Sequence, residues 1–185
     1  MDQTMEKRPT FTSYIVITGP ESTGKTELAK ALAQSFHCQW MPELSRSYIE
    51  NLHRPYTYTD VEAIARLQIN QFLEYKTSIK PFLIFDTGLI ITKVWFDVVY
   101  KQCPIWLIEA INNLPKALHL LCATDLPWIP DSVRENGGEM REILFGIYQN
   151  ELKYFGFPFE IISGLGEHRL RNAGEVLKNY GIGSK

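Results

Sequence analysis

The chain has 185 residues, 45% of them apolar and 22% charged, the size and balance of one globular domain with a sizeable core. A net charge of −2 excludes a broad nucleic-acid footprint, and no apolar run has the length of a membrane span or a signal-peptide core. Cys38, Cys103 and Cys122 are odd in number and widely spaced, so they form neither a zinc pattern nor a disulfide framework; the expected setting is the reducing cytoplasm.

Residues 1–13 are polar and read as a flexible N-terminus ahead of a single domain over 14–185. Tyr14 to Thr18 is a short β-branched apolar run, the pattern of a buried strand. Gly19-Pro20-Glu21-Ser22-Thr23-Gly24-Lys25-Thr26 follows at once and fits G-x-x-x-x-G-K-[ST], a phosphate-binding loop. Gly19 and Gly24 let the backbone turn and approach phosphates, and the N–H groups of Glu21, Ser22 and Thr23 belong to the anion cradle. Lys25 supplies a positive charge to the β- and γ-phosphates of ATP, and the Thr26 hydroxyl is placed to ligate Mg²⁺. Leu28, Leu32 and Phe36 then recur every four residues, one face of a helix, so the order is strand, loop, helix.

Cys38 to Met41 reads as a second strand, stopped by Pro42, and Ser47 to Leu52 as a short helix. Thr59 followed by Glu62 predicts a capping box opening a helix that runs past Phe72. Pro81 to Phe85 is a third strand ending at Asp86. Ile90, Ile91, Val94, Trp95 and Val98 repeat at helical spacing, and Ile105 to Asn113 adds a short helix. A fourth strand, Ala117 to Cys122, leads into a sixteen-residue loop from Ala123 to Gly138. Met140, Ile143, Leu144, Ile147 and Leu152 mark a helix, Phe159 to Ser163 a fifth strand, and Ala173, Val176, Leu177 and Tyr180 a closing helix. Apolar strands alternating with helices imply a parallel sheet covered on both faces, an α/β fold whose ligands bind beyond the carboxyl ends of the strands.

That rule selects the side chains for one cleft. Asp86 suits a carboxylate that holds Mg²⁺; the alternative is a helix N-cap. Glu43 suits a general base or a sugar ligand, unless it merely favours a helix's first turn. Arg46, one helical turn on, is placed to pin Glu43 or a substrate anion. The long loop has the composition of a lid, around 123–141, that excludes water and delivers Arg134 or Arg141 to the transferring phosphoryl group. Tyr56 and Trp128 are candidates for stacking on an acceptor ring, whereas Trp40, Trp95 and Trp106 are assigned to packing. Gly164 and Arg169 stand where an adenine would rest.

The phosphate loop, the Phe85-Asp86-Thr87 strand end and Asp125-x-x-Trp128-x-x-Asp131-x-x-Arg134 resemble the ribosylnicotinamide kinase domain of NadR-type NAD-biosynthesis proteins, from about Tyr14 to Tyr180. The resemblance implies a P-loop NTPase three-layer sandwich, with a five-stranded, mostly parallel sheet. It also implies ATP- and Mg²⁺-dependent phosphorylation of the 5′-hydroxyl of nicotinamide riboside, giving nicotinamide mononucleotide. Carried over by position, Lys25 and Thr26 meet phosphate and metal, Glu43 and Asp86 face the acceptor, and Arg134 belongs to the lid. Ser132 departs from the glycine expected there. A kinase of another nucleoside, a regulatory ATPase or switch protein, and a nucleotide-binding module without catalysis are the other readings. Against a switch stands the lack of an N-K-x-D guanine signature. The expected partner is a small nucleoside, with no nucleic acid and no membrane.

Overall fold

The computed structural model describes residues 14–75, 82–130 and 136–183. Five strands, β1 (Tyr14–Thr18), β2 (Gln39–Met41), β3 (Leu83–Asp86), β4 (Leu118–Cys122) and β5 (Phe159–Ile162), form one sheet in the order β2-β3-β1-β4-β5. Every pairing is parallel, so the expected "mostly parallel" sheet is parallel throughout. The chain lays β2 and β3 on one side of β1, then crosses to place β4 and β5 on the other. The carboxyl end of β1 is therefore the topological switch point, where such sheets open a crevice.

Alternation along β1 explains the three layers. Ile15 and Ile17 face helices α1 (Lys25–Phe36) and α7 (Glu167–Asn179), packing with Leu28, Leu32, Ala173 and Leu177. Tyr14 and Val16 point the other way, to Phe72 of α3 (Tyr58–Tyr75). That second face is completed by α4 (Leu89–Trp95), α5 (Ile105–Asn113) and α6 (Glu139–Tyr154), which share a cluster built on Leu121, Phe96, Leu107, Leu144 and Leu152. No helix among the described residues is long and apolar enough to cross a membrane.

Three local expectations are corrected. Helix α2 spans Leu44–Glu50 rather than 47–52, with Glu43 as its N-cap position. Helix α3 opens on Thr57 and Asp60, not Thr59 and Glu62. Asp60 Oδ2 accepts from both the Thr57 N–H and its hydroxyl, each at 2.7 Å, and Arg54 grips the same carboxylate. The Arg54 guanidinium first, and Thr57 next, hold Asp60 well below the usual carboxylate range. Glu62 instead accepts from Trp106 Nε1 at 3.1 Å. Beyond Trp95 the helix widens into a π-helical segment, Phe96–Tyr100, closed by Lys101 in the left-handed region. Lys93 bonds Asp97 at 2.7 Å and Glu151 at 2.6 Å, which clamps this segment to α6.

Leu120, at the sheet's centre and fully buried, tests the layer assignment. Leu120→Ala is expected to cost about 3 kcal/mol, lowering Tm by roughly 10 °C in a thermal melt. A loss below about 1 kcal/mol would contradict close packing at that position.

Candidate active site

Residues 19–26 leave β1 at the switch point and enter α1. Gly19 has φ 148°, and a Cβ there would lie 2.9 Å from the carbonyl oxygen of Cys122, so only glycine fits between the loop and β4. Gly24 occupies the left-handed region at φ 71° as the N-cap of α1, which needs no Cβ. The positive end of α1 then points at whatever anion the loop encircles.

The loop's carbonyls are bonded from behind. Lys25 Nζ and the fully buried Thr23 hydroxyl both donate to the Pro20 carbonyl at 2.8 Å. Arg169, 4% exposed on α7, donates to the carbonyls of Thr23 (2.9 Å), Gly164 (2.8 Å) and Ala123 (3.4 Å), and pairs with Asp125. Arg141, 6% exposed on α6, donates to the carbonyls of Ser22, Thr124 and Leu126 at 3.2, 3.4 and 2.9 Å. Arg141 makes these bonds through Nη2, its Nε being buried with no partner among the described residues, and Arg169 ties the loop to the segments that follow β4 and β5.

A cleft of about 630 Å³ runs from the loop past Glu43 to Tyr56 and Trp95. Along it the structure brings together Gly19, Glu21, Ser22, Thr23, Gly24, Lys25, Thr26, Glu43, Arg46 and Tyr56 of the expected set. Asp86, 2% exposed, is not part of that lining but lies behind Thr26, whose hydroxyl donates to its Oδ2 at 2.5 Å. Oδ1 of Asp86 is buried with no hydrogen-bond partner among the described residues. Burial pushes the Asp86 pKa up; the Thr26 hydrogen bond works against this and Glu43 adds to it. A hydroxyl beside an unsatisfied buried carboxylate oxygen is a donor set that fits a small hard cation such as Mg²⁺.

Glu43 makes no side-chain cap on α2; its Oε1 accepts from the Ser45 hydroxyl at 2.7 Å, and the residue lines the cleft. Arg46 lies 3.6 Å from Glu50 on the same helix. Tyr56 meets Trp95 edge to face, with ring centroids 4.8 Å apart. Trp95 therefore belongs to the cleft wall and not only to packing. Trp128 lies outside that wall, its ring 3.2 Å from where a Cβ on Gly137 would stand. The segment after β4 meets the loop through other residues. Ser22 exchanges hydrogen bonds with the Ile129 backbone, Asn136 donates twice to Glu21, and Leu126 packs against Gly24. Arg134 falls at 131–135, outside the described residues.

Tyr148 and Asn136 were not among the expected residues. Tyr148 had a signal: with Leu144 and Leu152 it continues an i, i+4 stripe, the side of α6 that turns inward. Asn136 had none, because its bond to Glu21 spans 115 positions.

The family described as AAA domain matches residues 14–169. The chain belongs to that family. Among solved structures, this AAA-domain chain is similar to NadR in complex with NAD and AMP-PNP, at 22% identity and a TM-score of 0.77, over 95% of this chain and 51% of that one. NadR in complex with NR gives the same identity and TM-score, over 96% and 53%. Deoxyadenosine kinase from M. mycoides, with products dCMP and a flexible dCDP, matches at 15% identity and a TM-score of 0.63, over 90% and 99%. The chain spans about half the length of the NadR structures. The shared architecture is the P-loop NTPase fold.

An ionised Asp86 that lacks a cation should destabilise the protein. Its pKa is raised on folding, so stability is full below the ordinary carboxylate value and lost as pH rises through the folded value. Asp86→Asn is expected to melt at or above wild type at pH 7, the difference vanishing near pH 4. Added Mg²⁺ should raise the Tm of wild type alone. A variant that melts well below wild type at pH 7 would show that the carboxylate already has its partner.

Proposed function

We propose that the protein is an ATP- and Mg²⁺-dependent kinase of a small nucleoside. Nicotinamide riboside is the leading acceptor and nicotinamide mononucleotide the product, made in the cytoplasm for NAD synthesis. The carrying observation is the Thr26–Asp86 pair at 2.5 Å, set where the phosphate loop meets a cleft that continues to Glu43 and an aromatic wall. The likeness to NadR with NR and to deoxyadenosine kinase supports an acceptor of this class.

In this reading the loop's N–H groups and Lys25 hold the triphosphate, Lys25 exchanging its bond to the Pro20 carbonyl for phosphate oxygens. Thr26 and Asp86 hold Mg²⁺, which offsets phosphate charge when bound. With Asp86 given to the metal, Glu43, which lines the cleft, is the group to accept the acceptor's proton. That proton transfer matters less than alignment, since the transition state of phosphoryl transfer is loose. Tyr56 and Trp95 flank the acceptor's ring, and Arg46 stands at its edge. Arg134 or Arg141 is the arginine for the transferring group. The contacts of Ser22 with Ile129 and of Glu21 with Asn136 bring the lid over the loop, where it denies water to the γ-phosphate.

A nucleoside panel with ATP and Mg²⁺ tests the reading. ATP consumption is expected to rise by at least about 100-fold with one acceptor, nicotinamide riboside first, because the aligned hydroxyl replaces excluded water. A response to a different nucleoside would move the substrate but keep the kinase. ATP hydrolysis indifferent to every nucleoside would favour the regulatory ATPase that the AAA family description also allows.

A further inference from the structure

Tyr148 is the cleft residue that neither the loop motif nor the proposed chemistry uses. It stands on α6, 6% exposed, with its ring packed into the apolar cluster behind Leu121. Its hydroxyl makes no hydrogen bond among the described residues, yet the residue lines the cleft together with Glu21, Lys25 and Glu43. The hydroxyl is the accessible tip of an otherwise buried ring, so it presents a donor to whatever the cleft binds.

The helix says where that ligand atom lies. Arg141, two turns earlier on the same buried stripe, is bonded to the Ser22 carbonyl behind the loop. Helical side chains lean toward the N-terminus, which carries the Tyr148 hydroxyl back from its Cα toward that anchor. The residue thus reaches the cleft along the stretch that Glu21 and Lys25 of the loop and Glu43 also line. We propose that the Tyr148 hydroxyl donates a hydrogen bond to the terminal phosphoryl group of the bound nucleoside triphosphate. The inference rests on the triphosphate reading of the loop. Burial, reinforced by the Glu21 and Glu43 carboxylates, pushes the phenol's pKa upward, so the group stays a neutral donor. A neutral donor offsets none of the charge that Lys25 already answers; it fixes orientation.

Tyr148→Phe removes one oxygen and keeps the ring, so the fold is retained. Titration calorimetry with Mg²⁺ and AMP-PNP, and separately with Mg²⁺ and ADP, is the test. Affinity for AMP-PNP is expected to fall roughly tenfold, the scale of one hydrogen bond to a charged group. ADP binding and Tm should stay at wild-type values, a pattern that a purely packing role would not give. Unchanged AMP-PNP affinity, an equal loss for ADP, or an effect confined to the acceptor's KM would each overturn the assignment. Wild-type protein that fails to bind AMP-PNP would instead remove the triphosphate reading, and this inference with it.

Discussion

A loop that turns its N–H groups toward a phosphate must turn its carbonyls inward, and each buried carbonyl then needs a donor. The rest of the structure depends on meeting that demand. Pro20 is answered from within the loop by Thr23 and Lys25, Ser22 by Arg141 and Thr23 by Arg169. The two arginines come from helices on opposite faces of the sheet, so the loop is braced between both outer layers. Each guanidinium also reaches the loops that follow β4 or β5. Both guanidinium groups thereby help to hold the cradle open.

The front of the cradle is left electrostatically incomplete. Asp86 is buried with one oxygen unpaired among the described residues, Glu43 faces the cleft in front of it, and Glu21 is turned toward Asn136. A phosphate chain would answer Lys25 and the end of α1, and a cation would answer Asp86. The binding site and its ligands are in this sense one balanced set of charges, with the protein supplying half. The π-helical segment and the Lys93 clamp serve the other end, keeping Trp95 and Val98 along the cleft wall.

Much of this was legible beforehand because it is local. The phosphate loop, all five strands and α5 follow from patterns a few residues long. The end of an apolar run also fixes where the Asp86 carboxylate emerges, beside Thr26. What was missed is non-local. Arg141 and Arg169 find carbonyl partners 119 and 146 positions away, which no local pattern announces. Trp95 was assigned to the core because its spacing suits packing, and spacing is silent on the gap opened by the loop before α3. At α3 itself, two overlapping capping signatures competed. Thr57 with Asp60 won because Arg54 adds its charge to that carboxylate.

A crystal of the protein soaked with Mg²⁺ and AMP-PNP examines the central claim most directly. The account predicts a β-phosphate ringed by the N–H groups of residues 21–26, with the metal in contact with Thr26 and on the side of Asp86. Density for the nucleotide elsewhere, or a loop whose carbonyls rather than N–H groups face the phosphates, would contradict it.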